Sequence, residues 1–347
     1  PGDEDILPPE KLHIYGPELS VYGAVAPTAS RLGQATLGTL HERAGEQENL
    51  RADSTSSDKN TVLTGAWGRM FGQSYQDRYV SIVSPETKTT IAGFQIGADL
   101  YRHQRDDGQR DHAGVYFAIG NAAAKVTGTV TNAEATAYVT QRTGTINLTG
   151  VSGGAYWTHY GTSGWYTDAV LQATSYRGTA SSNRTSIGLD GSGLIASLDG
   201  GYPFQIGNGL NGLSLEPQAQ IMYQHIRLDN TADQFSSIGL GSGSSLLVRL
   251  GARLQLTRKD GDTLLQPYTR LNFWSTLANG RNTVDYGGID QIETKAGGNW
   301  TQVGIGMTAK LNQQTSLYGG LDGLFRMGSK EQSHTGVQAT FGLRMNW

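Results

Sequence analysis

From about residue 61 to its end, the chain changes polarity at nearly every residue, in segment after segment. The last segment shows the pattern whole: Val337, Ala339, Phe341, Leu343, Met345 and Trp347 alternate with Gly336, Gln338, Thr340, Gly342, Arg344 and Asn346. Successive side chains of a strand point to opposite faces, so this segment is apolar on one side and polar on the other. A strand of this length, rising about 3.3 Å per residue with a tilt near 40°, crosses roughly 30 Å, the thickness of a bilayer's hydrocarbon layer. One such strand would fit a half-buried position in a soluble sheet equally well. Repetition is what constrains the fold.

About twelve such segments follow one another from Thr61, and an even number is what a single-chain membrane barrel requires. Phe94, Ile96 and Leu100 oppose Gln95 and Asp99; Leu171 opposes Asp168 and Gln172; Leu198 opposes Asp199; Ile221 opposes Glu216 and Gln220. Leu250 and Leu254 oppose Arg249 and Arg253, Leu271 opposes Arg270, and Leu321 and Phe325 oppose Asp322 and Arg326. The connections alternate too. Long ones (Gln73–Lys88, Asn121–Thr143, Arg177–Asp190, Arg227–Ser244, Ala278–Gly298) are interleaved with short ones (Gly161–Gly164, Gly207–Gly212, Lys259–Asp262, Asn312–Thr315). One rim of a membrane barrel needs only tight turns while the other carries surface loops, whereas a soluble sandwich has no reason to alternate in step with strand number. Thr283–Ile292 is read as part of a long outer loop, because a thirteenth strand would break the even count. The expected fold is all-β and transmembrane: a 12-stranded antiparallel outer-membrane β-barrel over residues 61–347, with an N-terminal α-helix in its lumen.

Composition agrees with this and excludes other classes. No run of about 18 apolar residues exists, so a helical membrane protein is excluded. The mean hydropathy of −0.39 resembles that of a soluble chain, but a barrel with a wet interior scores the same way. The absence of cysteine removes disulfides and thiolate metal sites and suits a chain that crosses the periplasm unfolded. A formal net charge of only −3 gives no support to nucleic-acid binding. The chain opens at Pro1 without a signal peptide and is expected to be a processed or truncated piece of something longer.

Residues 1–60 differ in kind. Residues 1–17 read as a linker, acidic and Pro-rich at first, and residues 18–60 as a helix with its own linker to the barrel. Pro27 fits a helix's first turn, with Thr28 to Ala44 behind it. Gly33 and Gly38 cost such a helix roughly 2 kcal/mol relative to alanines, so it should not form alone on a surface. Inside a narrow polar channel small residues are what fits, and about 18 residues at 1.5 Å each span close to 27 Å, one membrane thickness. The alternative is a linker helix packed against the periplasmic rim.

The runs Tyr15–Tyr22 (YGPELSVY), Ala35–Arg43 (ATLGTLHER) and Trp67–Gly72 (WGRMFG) resemble the β-domain of classical monomeric autotransporters, the pertactin and AIDA-like group of type V secretion. So do Gly164–Ala169 (GWYTDA), Ser197–Tyr202 (SLDGGY), Leu215–Gln220 (LEPQAQ), Arg249–Arg253 (RLGAR) and Gln266–Tyr268 (QPY). They occur in family order over nearly the whole chain. The resemblance implies a translocator barrel in a Gram-negative outer membrane, with the N-terminal helix in the lumen and an upstream passenger exported through or together with it. Implied partners are the outer-membrane lipid, the chain's own passenger, the barrel-assembly machinery and periplasmic chaperones; the barrel is expected to be a monomer and to bind no nucleic acid. Some relatives cut their passenger at an Asn-Asn pair in the linker, a pair this linker lacks.

Parity assigns Asp99, Asp168, Asp199, Glu216, Arg249, Arg253, Arg270, Asp322, Arg326 and Arg344 to the lumen, where mixed charges can pair with one another and with a plug. Thr28, Leu32, Ala35, Thr36, Leu40 and Arg43 are the pore-helix residues expected to meet them; the alternative is that the wall charges are merely solvated. Trp67, Trp157, Trp165 and Tyr318 are candidates for the interfacial aromatic girdle. Catalysis is not expected: the histidines, such as His103, His112, His159, His225 and His334, are scattered, and neither an HExxH motif nor a phosphate loop occurs. No cofactor or metal is expected. An outer-membrane diffusion porin is the competing reading, but a porin needs no segment like residues 1–60. Phe341, Leu343, Met345 and Trp347 resemble the terminal signal read by the barrel-assembly machinery. Deleting Trp347 should lower the amount of folded barrel in cells; wild-type levels of the heat-modifiable form would sink the signal reading.

Overall fold

The computed structural model describes residues 13–44, 65–206, 212–261, 263–278, 280–312, 314–328 and 330–346. Twelve antiparallel strands close into one barrel: β1 Gly65–Arg78, β2 Glu86–Gln104, β3 Arg110–Thr131, β4 Tyr138–Tyr160, β5 Tyr166–Ser182, β6 Ser186–Gly201, β7 Leu213–Leu228, β8 Ser242–Leu256, β9 Thr263–Ala278, β10 Asn299–Lys310, β11 Thr315–Met327 and β12 Ser333–Asn346. Each strand pairs with its chain neighbours, and β12 closes the ring on β1 from Gly65↔Asn346 to Arg78↔Ser333. Closure leaves no sheet edge, which is the condition for crossing lipid. The outward face carries a large apolar side chain on every strand, among them Met70, Phe94, Phe117, Leu171, Leu198, Ile221, Leu250, Leu271, Ile305, Leu321 and Phe341, all exposed. Leu343 and Met345 also face outward on β12, while Trp347 lies outside the described residues.

Several boundaries differ from the sequence reading. The stretches read as three long loops are largely strand, and their actual connections are only 79–85, 132–137 and 183–185. Strands β3 and β4 run for 22 and 23 residues, roughly 55 Å of height at an ordinary tilt, far more than the hydrocarbon thickness. Above the membrane their outward residues need not be apolar, so the alternation that marks a strand disappears although the pairing continues. Thr283–Ile292 lies in a hairpin, Gly280–Tyr286 with Asp290–Ala296. It belongs to a second sheet of five short strands with Val80–Ser81, Thr231–Ala232 and Ser237–Gly239. The barrel count stays at twelve.

Three helical pieces occupy the barrel: α1 Pro17–Gly23, α2 Val25–Leu37 and α3 Leu40–Ala44. The helix therefore starts eleven residues before Thr28, and Pro27 sits inside the first turn of α2, where its missing N–H removes no hydrogen bond. The chain enters at the long-loop rim, where Tyr15 donates its backbone N–H to the Thr131 hydroxyl at 2.8 Å, and α3 ends near the rim formed by the short turns. Around α1 and the upper part of α2 the lumen is apolar: Leu19, Val21, Tyr22 and Val25 pack against Val126, Ile146, Leu148 and Leu189, with Ile238, Val284 and Ile292 of the small sheet above them. A uniformly polar channel was expected; the outer half is instead a hydrophobic core. At its edge the Tyr22 hydroxyl donates to Asp233 at 2.7 Å. Burial, then the Asp233 carboxylate, pushes the Tyr286 phenol up to about 12, and the same causes raise Tyr22, so both remain donors at any ordinary pH.

Gly33 and Gly38 are needed where they stand. A Cβ on Gly33 would lie 2.5 Å from the Tyr176 hydroxyl, and Gly38 closes α2 at φ +66°, where a Cβ would meet the Arg69 guanidinium at 2.6 Å. Gly33→Leu should overpack the lumen and destabilise the barrel by about 1–3 kcal/mol, read as a lower temperature for loss of heat-modifiable migration.

Candidate functional site

The lower half of the lumen is a polar site built around α3. Thr39 and Glu42 form a capping box: the Thr39 N–H donates to the Glu42 carboxylate at 3.1 Å, and the Glu42 N–H donates to the Thr39 hydroxyl at 3.3 Å. This box restarts the helix after Gly38. Consecutive helical residues point about 100° apart, so His41, Glu42 and Arg43 reach three different walls.

Arg43 donates to Asp168 on β5 at 2.6 Å, with both side chains about 2 % exposed. Glu42 accepts from Arg270 on β9 at 2.8 Å, and Arg270 also holds Asp322 on β11 through two bonds of 2.7 and 2.6 Å. His41 lies between Glu216 on β7, 2.9 Å from its Nε2, and Arg253 on β8, 2.8 Å from its Nδ1. Arginine has no acceptor, so Nδ1 accepts and the proton sits on Nε2, donated to Glu216. The Tyr318 hydroxyl donates to the Arg43 carbonyl, one of the last acceptors of α3.

Higher up, α2 is fixed by amides and hydroxyls together with two arginines. Arg69 donates to the Ala35 carbonyl at 2.9 Å and to Gln95 at 2.6 Å. Gln172 donates to the Gly33 carbonyl and the Thr36 hydroxyl, and Ser152 shares a 3.1 Å bond with Thr36. Gln224 accepts from Ser30 and Gln34. Arg31 donates to Asp77 at 3.1 Å and lies 4.7 Å over the Trp300 ring. Two cavities of about 50 and 80 Å³ remain beside α2, room for only a few waters at about 30 Å³ each.

Of the wall residues chosen by parity, Asp168, Glu216, Arg253 and Arg270 touch α3 directly. Asp99, Asp199, Arg249, Asp322 and Arg344 instead pair across the wall: Arg344 with Asp99, Arg249 with Asp199 at 2.9 Å, and Asp322 with Arg270. Arg326 keeps the lumen parity, opposite Trp300 in the register, but is exposed near the long-loop end of β11. Among the helix residues Thr28, Leu32, Ala35, Thr36, Leu40 and Arg43 are all buried, although Thr28 bonds only back to the Ala24 carbonyl. Trp67 and Tyr318 are not girdle residues. Both face the lumen, about 4 % exposed, with the Trp67 indole donating to Tyr156 at 3.0 Å. Trp157 and Trp165 do face outward. A Gly-x-Ser-x-Gly string, Gly150–Gly154, lies in the middle of β4, and Ser152 is spent on Thr36 and Thr174. Sequence reasoning missed His41, Glu42, Arg69, Gln172 and Gln224. The Thr39-x-x-Glu42 spacing was the available signal for the box; nothing local marks the others.

Replacing Arg43 by Met should leave Asp168 buried without its cation and cost about 3–5 kcal/mol, with larger single-channel current in planar bilayers. Adding Asp168→Leu should recover most of the stability; a double variant as unstable as the single one would show that the pair is not what holds α3.

The Autotransporter beta-domain family model matches residues 66–322. The chain is 25 % identical to the uncharacterized protein YdeU of Escherichia coli K12, covering 99 % of this chain and 72 % of that protein. It is 29 % identical to the pertactin autotransporter of Bordetella bronchiseptica over 84 % of this chain, but spans only 29 % of that protein's length. The transport unit of the autotransporter AIDA-I from Escherichia coli has the same fold, with a TM-score of 0.68 at 16 % identity over 96 % of this chain and all of that one. A closed twelve-stranded barrel threaded from its loop side by its own N-terminal helix, matched by that family over most of its strands, makes this chain an autotransporter β-domain of the Gram-negative outer membrane.

Proposed function

We propose that this domain anchors an N-terminal passenger and passes it to the cell surface, after which residues 17–44 remain in the lumen as the seal. The observation that carries this reading is chain direction. His13 and Tyr15 bond to Thr131 and Tyr138 at the long-loop rim, whereas β1 and β12 end together at the short-turn rim. The described chain therefore starts at the loop side, which is the cell exterior if the short turns face the periplasm.

The domain works as a monomer, inserted by the barrel-assembly machinery after delivery by periplasmic chaperones, with the outward Phe341, Leu343 and Met345 of β12 as the terminal signal. It performs no catalytic step of its own; the chain contains no Asn-Asn pair, so passenger release falls to another protease or another site. The porin reading is less well supported, because α1–α3 fill the passage that a porin keeps open.

Two measurements test the proposal. An epitope tag placed before Pro1 should be removed by protease added to intact cells, while a tag protected until the outer membrane is broken would overturn the assigned direction. Deleting residues 1–50 should enlarge the current in planar bilayers, and an unchanged current would refute the seal.

A further inference from the structure

Asp111 is an anomaly on the barrel's outer wall. It shares the outward parity of Val115 and Phe117, at the short-turn end of β3, yet is only 6 % exposed. A lipid-facing carboxylate is costly unless paired, and three groups cover this one. The Trp157 indole donates to it at 3.1 Å, His159 Nδ1 stands 2.9 Å away, and Arg105 of the β2–β3 turn donates at 3.3 Å. His159 lies between Trp157 and Trp165, its ring 6.0 and 5.1 Å from theirs. Arg105 keeps about half its surface open, and its bond to Asp111 uses one nitrogen of the guanidinium fork.

An open, shallow groove begins at Trp157 and runs across the outer wall as far as Leu246. Ala155, Ala169 and Ala196 form its floor, and Leu171, Leu198 and Ile221 form its walls. From β4 to β8 it crosses four strand spacings, roughly 19 Å at about 4.8 Å each, close to the length of an extended sixteen-carbon tail. Because the strands are tilted, a tail lying across them slants from the interface into the hydrocarbon layer. A cationic fork in an aromatic belt, continuous with an alanine-floored groove of tail length, matches the two halves of one molecule.

We propose that Arg105 and the groove from Trp157 to Leu246 form a site for one glycerophospholipid of the periplasmic leaflet. Arg105 holds the phosphate diester, Trp157 and Trp165 flank the glycerol region, and one tail lies on the alanine floor. Asp111 is a positioning residue, fixing Arg105 and His159 at the rim.

Native mass spectrometry of the full chain released from detergent after incubation with palmitoyl-oleoyl phosphatidylethanolamine tests the site. Wild-type protein should retain one lipid, and Arg105→Gln should lower that retention at least five-fold. Ala169→Leu with Ala196→Leu, which fills the groove and leaves the headgroup contacts, should lower it similarly. Heat-modifiable migration confirms that each variant is a folded barrel. Equal retention by the folded variants would overturn the proposal and leave the cluster as an interfacial anchor only. Retention of lipopolysaccharide in preference to the phospholipid would overturn it as well, since that lipid belongs to the opposite leaflet.

Discussion

A closed ring of strands in a bilayer satisfies its outer face with lipid and its backbone with itself, but it leaves an inner face that neither can fill. In this chain that face is met by residues 17–44, and the contact between plug and wall decides the character of the whole interior. Where the plug is apolar, from Leu19 to Val25, the wall is apolar; where it is polar, from His41 to Arg43, the wall supplies Glu216 and Arg253 to His41, Arg270 to Glu42 and Asp168 to Arg43. The interior is packed like a soluble domain turned inside a membrane shell.

The division into two zones has a mechanical meaning. The apolar outer half, closed above by the hairpin Gly280–Ala296 and its small sheet, excludes water chiefly by burial, with few directional bonds such as Tyr22 to Asp233 and Ser20 to Thr143. The inner half has Arg43–Asp168, Glu42–Arg270–Asp322 and Glu216–His41–Arg253, each aimed at a different side of the ring. Buried pairs of this kind add little net stability against an apolar substitute, but losing one member is expensive. They therefore specify one position and rotation for α3. Such a latch fits a segment that must thread the pore and then stop at one place.

Much of the barrel could be read from the sequence because lipid on one face and a polar lumen on the other impose a period of two on every strand of the ring. Phe94 against Gln95, or Leu250 against Arg249, already declares which side faces out. Where lipid ends, so does the signal: the upper parts of β3 and β4, around Lys125 and Gln141, read as loops although they are paired on both sides of a bulge at Thr143. The lumenal aromatics were misread for a related reason. Trp67 and Tyr318 satisfy the composition of a girdle, but they share the strand faces of Arg69 and Asp322 and so point inward, onto Tyr156 and the end of α3.

By itself, the sequence determined the architecture: an even number of strands, a closed wall, the charged side chains of that wall facing in, and a glycine-bearing helix too weak to stand outside it. What it could not determine is which charge meets which. Arg43 and Asp168 are separated by 125 residues, and Arg270 and Glu42 by 228, so no periodicity links them. Asp99, Asp199 and Asp168 look alike in their strands, yet one binds the plug and two bind an arginine two strands along the wall. That choice follows from strand register, barrel curvature and the rotation of the five-residue helix after Gly38. These are distances in space, fixed only when the ring has closed around the helix.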